Sequence, residues 1–161
     1  MRRGPPSPRN LDVSVVLDLM IHDLDLALAL TSAEALAVEA EGACIANATL
    51  DTVDAEVTFD DGFTAAVSAS RAAQSRERTM RLVFPSGDLT IDFLAHTFEN
   101  NTAFALNGDF EASAAGRDRL GASLAAFVAA VRGEGAAPLA CAADGLRALD
   151  LALAVERAVG G

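Results

Sequence analysis

Four polar residues lie along the first helical stretch of the chain at spacings that allow acid–base chemistry. They are Ser14, Asp18, His22 and Asp25. An ideal helix advances about 100° per residue, so these four share one face, while Asp23 falls on another. A histidine four residues after an aspartate can hydrogen-bond to it, which fixes the ring tautomer and suits the imidazole to general acid or base catalysis. Proton transfer by His22, supported by Asp18, is therefore the first functional hypothesis.

Two other interpretations of these residues stay open from spacing alone. The acidic side chains could interact favourably with the dipole at a helix N-terminus. His22 could then be a hydrogen-bonded residue of the core without a catalytic role. Alternatively, Asp18, His22 and Asp25 could offer oxygen and nitrogen ligands to a metal, as in a metal-dependent hydrolase. Such an enzyme needs further histidines, and the chain offers only His96, which is predicted to lie in a loop or at a strand edge.

The polar residues belong to an otherwise apolar stretch that predicts a buried helix. The helical pattern runs from Ser14, a plausible N-cap, to about Leu30, where Thr31 and Ser32 follow. Residues 1–10 carry three prolines and three arginines, which favour extended structure. We therefore predict an irregular, linker-like segment over 1–10 and one substrate-binding or oligomerisation domain over 11–161.

In the middle of the chain, apolar residues recur at every second position instead of every 3.6 residues. This alternation predicts antiparallel strands. One hairpin turns at Asp61-Gly62 and a second at Pro85-Ser86-Gly87-Asp88. The strand segments predicted around these turns and elsewhere are 53–59, 63–69, 80–84 and 89–93, with weaker candidates at 36–41 and 103–107.

The helical period returns in the last third of the chain. One apolar stripe ends at Gly133, and Asp144 opens a final helix. The stripe consists of Leu120, Leu124, Phe127, Val128 and Val131. Strands grouped between helices predict an α+β fold, with a mainly antiparallel sheet of about five or six strands and helices packed on one face.

Composition excludes several classes of partner. The net charge of -11 repels nucleic acid and anionic membranes, and no uncharged apolar run is long enough to span a bilayer. No secretory signal precedes the first helix, so a cytoplasmic location is expected. Cys44 and Cys141 are too few for a disulfide framework and are predicted to be buried.

The cationic residues are all arginines, since the chain has no lysine. Four of them, Arg71, Arg76, Arg78 and Arg81, surround one strand connection. They could bind an anionic substrate, but a solvated turn paired with the surplus acids is the preferred interpretation.

The stretch from Asp12 to Leu26 resembles the helix that opens the C-terminal domain of the Gfo/Idh/MocA oxidoreductases, the family of glucose-fructose oxidoreductase and inositol dehydrogenase. The resemblance spans nearly the whole chain. It continues through Phe59-Asp60-Asp61-Gly62-Phe63, Ala69-Ser70-Arg71, the hairpin from Arg81 to Phe93, and Pro138 with Asp144 to Leu149.

This resemblance implies a substrate-side domain of an NAD(P)-dependent sugar or polyol dehydrogenase, in which His22 is the acid/base residue and Asp18 supports it. It also implies a homo-oligomer formed through the open sheet face. The family's glycine-rich loop and its usual lysine are not found here. We therefore expect no cofactor binding by this chain alone, a requirement for a Rossmann-domain partner, and no dehydrogenase activity without one. A noncatalytic oligomerising module derived from the same domain is the alternative.

Overall fold

A computed structural model describes residues 1–5, 12–134 and 140–160 and divides them into two compact units. The first unit comprises Met1–Thr79 and Ala142–Gly161, and the second comprises Met80–Cys141. Pro138, one of the residues on which the family resemblance rests, lies outside the described residues, as does most of the segment predicted to be a linker.

The first unit contains two long helices and a sheet in the order β2-β3-β4-β1-β5. The elements are β1 (Arg2–Arg3), a π-helical turn (Val16–Met20), α1 (Ile21–Leu30), β2 (Ala35–Ala43), β3 (Thr52–Phe59), β4 (Thr64–Ser70), the start of β5 (Glu77–Phe84) and α4 (Ala142–Gly160). The β1–β4 pair is parallel, and the pairs β2–β3, β3–β4 and β1–β5 are antiparallel. Arg2 and Arg3 thus form a short paired strand where the composition favoured irregular structure.

The hairpin of β3 and β4 supplies the centre of the core. Alternate residues of the two strands are buried, namely Val53, Ala55, Val57, Phe59, Ala65, Val67 and Ala69. Gly62, at a φ of 86°, makes the predicted turn, a conformation that glycine adopts without steric cost. The intervening side chains of the hairpin face away from the helices, so this sheet has one covered and one open face.

The helices α1 and α4 pack together and cover the inner face of the sheet. Met20 and Leu24 from the first helical segment and Leu151 and Val155 from α4 join the same buried cluster. Leu24 and Val155 are fully buried. The apolar stretch predicted to be a buried helix is therefore confirmed.

The second unit contains the rest of β5, β6 (Gly87–Asp92) and β7 (Thr97–Asn100), with neighbouring strands hydrogen-bonded in that order. A 3₁₀ turn (Phe110–Ala112), α2 (Ala114–Arg117) and α3 (Arg119–Val131) follow. The strand predicted at 103–107 is wrong, because Thr97–Asn100 is the segment that pairs with β6. Gly133, at a φ of 71°, follows α3 as predicted.

The apolar stripe of α3 is not packed as the sequence pattern suggests. No residue of this helix is buried, and Leu120, Phe127 and Val131 are each more than half exposed. Cys44 and Cys141 are also exposed, so the prediction that both are buried is wrong.

The predicted fold class is confirmed. The described residues form seven strands, mostly antiparallel, and the number exceeds the predicted five or six. Within the described ranges, no helix combines the length and the low charge that crossing a bilayer would require.

Candidate functional site

The helix that carries the predicted site begins with a π-helical turn at Val16–Met20 rather than with regular α-helix. The Ile21 N–H donates to the carbonyl of Val16, five residues earlier, which is the π pattern. Ser14 caps this start, since its Oγ accepts from the Leu17 N–H at 3.3 Å. The Ser14 hydroxyl also donates to Glu156 on α4. The predicted N-cap is thus confirmed, and it is tied to the neighbouring helix.

The four polar residues predicted to share one helix face differ in their exposure. Asp18 lies within the π turn and is half-buried, while His22, in the first turn of α1, is exposed. Ser14 is buried and Asp25 is half-buried. An exposed imidazole one helical turn after a half-buried carboxylate can exchange a proton with a bound hydroxyl group. No sequence signal indicated the π turn.

The metal-binding interpretation of Asp18, His22 and Asp25 gains no support from the structure. Among residues 1–5, 12–134 and 140–160, no three His, Cys, Asp or Glu side chains come together as a group that could hold a metal ion.

A buried ion pair between Asp51 and Arg71 anchors the start of this helix. Arg71 Nε lies 2.9 Å from Asp51 Oδ1, and the two side chains are almost fully buried. Asp51 also accepts from the backbone N–H groups of Ile45, Ala46 and Asn47. A buried charge is tolerated only when it is paired and hydrogen-bonded in this way.

Arg71 connects that pair to the backbone that leads into the π turn. Its Nη2 donates to the carbonyl oxygens of Val13, at 2.9 Å, and Leu50, at 3.1 Å. The Val15 N–H in turn donates to the Leu50 carbonyl. Arg71 therefore fixes where the helix of Asp18 and His22 starts. The sequence-based interpretation of Arg71 as part of a solvated turn is wrong.

The hydrogen bonds to Asp51 keep it ionised. Burial by itself raises the pKa of Asp51, but hydrogen bonds from the Ala46 N–H, the Asn47 side chain, the Ile45 N–H and Arg71 outweigh it. The pKa of Asp51 is consequently held well below its ordinary value.

Asp23, the residue after His22, is the second acid that sequence reasoning missed. It is only 7% exposed, although it lies off the predicted stripe. Its Oδ2 is 3.6 Å from the amino group of Met1, which itself donates to the Thr79 carbonyl at 2.7 Å. The contact between Asp23 and Met1 therefore places the start of α1 beside the β1–β5 pair.

Two other residues singled out in the sequence, His96 and Arg81, lie in the second unit. His96 is in the turn between β6 and β7 at a φ of 56°, so its predicted location in a loop is confirmed. Its Nδ1 lies 3.6 Å from Glu111 Oε1. Arg81 is exposed, and its Nε lies 2.9 Å from Asp88 Oδ2. This agrees with the prediction of a solvated arginine paired with an acid.

Comparison with known proteins identifies the family of this chain. Residues 4–90 match the model of the GFO/IDH/MocA C-terminal domain. The UDP-N-acetylglucosamine 3-dehydrogenase of Acidithiobacillus ferrooxidans is 36% identical over 166 residues, which cover 98% of this chain and 52% of that protein. The chain therefore spans about half the length of this curated relative.

Solved structures agree with that match. A crystal form of the same Acidithiobacillus ferrooxidans enzyme, GnnA, superposes with a TM-score of 0.84 at 34% identity, covering 98% of this chain and 51% of the other. The WlbA dehydrogenase of Bordetella pertussis, in complex with NADH and UDP-GlcNAcA, gives a TM-score of 0.75 at 14% identity, covering 99% of this chain and 53% of the other. At that identity, the likeness shows the fold alone.

Proposed function

The chain belongs to the GFO/IDH/MocA family by its C-terminal domain, and on that premise we propose that it is the substrate side of an NAD(P)-dependent sugar dehydrogenase. The substrate class we propose is a sugar carried on a nucleoside diphosphate. The observation that carries this proposal is the 36% identity to a UDP-N-acetylglucosamine 3-dehydrogenase over 98% of the chain. The presence of Asp18 and the exposed His22 on one helix supports it.

In the proposed mechanism, His22 accepts the proton of the sugar hydroxyl that is oxidised to a carbonyl. The carboxylate of Asp18, one helical turn earlier, orients the ring and stabilises its protonated form. In the reverse reaction the imidazolium returns the proton to the alkoxide oxygen. The chain's own contribution is thus to hold the sugar and move one proton.

NAD(P) supplies hydride acceptance in this family, but the described residues do not fit a dinucleotide. The sequence has no G-x-G-x-x-G loop. In the part of the chain that the structure describes, the single parallel strand pair is β1–β4, which includes no βαβ unit of the dinucleotide-binding kind. We therefore assign no hydride-transfer step to this chain. A Rossmann domain would have to bring the cofactor to His22.

A noncatalytic oligomerising module is the second candidate. The observation that favours it is the open face of the sheet, where Ala66 is exposed and Ser68 is half-buried. Small side chains on a flat face permit a second copy to approach closely. Under this alternative the chain would associate with itself but would not bind a sugar at His22.

Proton NMR of the two histidines can separate the candidates. His22 and His96 are the only histidines, and they lie in different units. We expect UDP-N-acetylglucosamine to shift the imidazole Cε1–H signal of His22 in a saturable manner. His96 serves as the internal reference and should not respond. The variant His22→Asn assigns the signal by removing it.

The sugar-binding proposal fails if the His22 signal does not move at saturating ligand, or if both histidine signals move alike. An unchanged His22 signal together with a dimeric sedimentation mass would favour the oligomerising module. The variant Asp18→Asn should weaken the response of His22 while leaving His96 unaltered.

A further inference from the structure

The strand β2 stands at one end of the sheet and has one edge without a neighbouring strand. In the part of the chain that the structure describes, β2 pairs along its length with β3 alone. It is 9 residues long, from Ala35 to Ala43, which is enough for several main-chain hydrogen bonds to a further strand. An edge of this kind is a template on which another chain can add a strand.

The residues of β2 that direct their backbone groups to this free edge can be identified from one hydrogen bond. The Asp51 N–H donates to the Ala43 carbonyl at 2.9 Å, so Ala43 directs its backbone groups to the β3 side. These directions alternate along an antiparallel strand, and the register is continuous from Ala37 to Ala43. Ala40 and Val38 therefore present their N–H and C=O groups to the free edge.

A groove lies beside the start of this edge, on the side of the sheet that the helices cover. Its volume is about 380 Å³, and its apolar lining comes from three elements of the first unit. These residues are Leu28 of α1, Leu36 and Val38 of β2, and Leu151 and Ala154 of α4. Leu36 is 69% exposed. Apolar side chains of an added strand would fill this groove and cover Leu36.

The opposite face of the sheet is acidic next to the same edge. Glu39 and Glu41 are exposed on β2, and their partners in register on β3 are Glu56 and Asp54. The cation Arg3 lies 3.8 Å from Asp54. Four carboxylates and one guanidinium leave this face with a negative charge, which favours a cationic neighbour.

The rim of the groove has the same sign of charge. Its charged residues are Glu34, Asp150 and Arg147, and the Arg147 Nη2 donates to the Ala33 carbonyl at 3.4 Å. The acids therefore outnumber the cations on both sides of the edge.

These charges favour a partner other than a second copy of the chain. A second β2 paired at this edge would bring its own Glu39 and Glu41 close to the acids already there, and like charges on neighbouring strands are destabilising. The whole chain also carries a net charge of -11. The same acids that oppose pairing with a second copy attract a basic strand, so they select between the two.

We propose that the free edge of β2 binds an extended segment of a partner protein in which lysine or arginine alternates with valine, isoleucine or leucine. The segment adds to the sheet as an antiparallel strand, with main-chain hydrogen bonds to Val38 and Ala40. Because side chains of a strand alternate between the two faces, its apolar side chains enter the groove while its cationic side chains lie beside Glu39 and Glu41. This interaction goes beyond the proposed function at His22.

Fluorescence anisotropy of a labelled synthetic peptide, in which lysine and valine alternate, tests this site when the peptide is titrated with the whole chain. We expect saturable binding that weakens as the salt concentration rises. A peptide with glutamate in place of lysine should not bind, because its charges would repel the acids of β2.

N-methylated peptides test the main-chain hydrogen bonds without altering the chain. In an antiparallel addition the valine N–H groups face β2, whereas the lysine N–H groups face solvent. Methylation of the valine nitrogens should lower the affinity by roughly tenfold or more, since several hydrogen bonds are lost. Methylation of the lysine nitrogens is the matched control and should leave the affinity close to that of the parent peptide.

Variants of the chain test the charges. Glu39→Gln and Glu41→Gln together should weaken binding by roughly threefold or more, in keeping with exposed ion pairs. Glu99→Gln is the matched control, because Glu99 is an exposed glutamate on β7, a strand of the other unit. Circular dichroism checks that each variant is folded.

Three results would overturn the proposal. The first is equal affinity of the two methylated peptides, which would mean that the edge of β2 is not used. The second is equal binding of the lysine and glutamate peptides, or equal weakening by Glu99→Gln. The third is competition between the peptide and self-association of the chain, which would assign the edge to a second copy.

Discussion

Asp51 is the residue whose charge decides how the helix of His22 is held. It accepts hydrogen bonds from three consecutive backbone N–H groups and from Arg71, which in turn holds the carbonyl of Val13. Nothing in the spacing of the sequence marks Asp51, since its partners come from other segments that only the fold brings together. Asp18 and His22, by contrast, could be predicted because they share one short helical stretch.

The stability of the chain should depend on the ionisation of Asp51. Its pKa is depressed in the folded state, so the stabilisation is complete above the unfolded value near 4 and is lost as the pH falls below it. Asp51→Asn should cost about 3–5 kcal/mol at pH 7, because Arg71 is then buried without its partner charge. The gap between variant and parent should narrow on acidification from about pH 5 to about pH 3.

Urea unfolding followed by circular dichroism measures this effect, since the chain has no Trp or Tyr for fluorescence. The exposed Asp60, varied to asparagine, provides the control and should change stability little at any pH. A constant difference between Asp51→Asn and the parent chain across the acidic range would contradict the role given to this carboxylate.

At the scale of elements, hydrophobic periodicity was sufficient for α1, α4 and the β3–β4 hairpin, because each of them buries one face. The second hairpin was marked by its turn residues, since its strands bury little. Periodicity was insufficient for three features. The π turn depends on a local change of hydrogen bonding that leaves no trace in composition. The strand Arg2–Arg3 is polar and two residues long, and its pairing with Ala69 and Arg78 is purely tertiary. The segment 103–107 alternates like a strand but has no partner strand in the described structure.

The packing of α1 against the sheet should account for much of the stability of the first unit. Leu24→Ala removes a fully buried side chain and should cost about 2–5 kcal/mol in the free energy of unfolding. Leu30→Ala removes the same atoms from the end of the same helix, where the side chain is 50% exposed, and should cost less than about 1 kcal/mol. Urea denaturation of both variants provides the comparison. Similar losses for the two would mean that α1 does not pack on the sheet as described.

At the scale of the whole molecule, the sequence was enough to predict the α+β class and the family, because the order of features along the chain is itself specific. It could not predict that the chain divides into two compact units, or that α3 keeps an apolar stripe exposed. A stripe pattern shows only that a helix has one apolar side. What that side meets depends on contacts distant in sequence.

The open sheet face of the first unit makes any self-association sensitive to salt. Glu39 stands opposite Glu56, and Glu41 stands opposite Asp54, so carboxylates already face one another within a single copy. A second copy on this face would add its own acids to that repulsion. If the proposed homo-oligomer uses this face, sedimentation should show association rising from about 0.01 M to about 1 M salt, as the screening length shrinks from about 30 Å to about 3 Å.

A charge placed within that face should dissociate the proposed homo-oligomer. Ala66 is exposed on β4 in register with Glu56, so Ala66→Glu adds a third carboxylate beside an existing pair and should give a monomeric sedimentation mass. Ala29→Glu, on the exposed side of α1, is the control and should retain the parent mass. Unchanged association of the Ala66→Glu variant would mean that the interface lies on another surface. If the parent chain is a monomer at every salt concentration, the proposed homo-oligomer is wrong, because screening of the like charges would then not allow the sheet faces to associate.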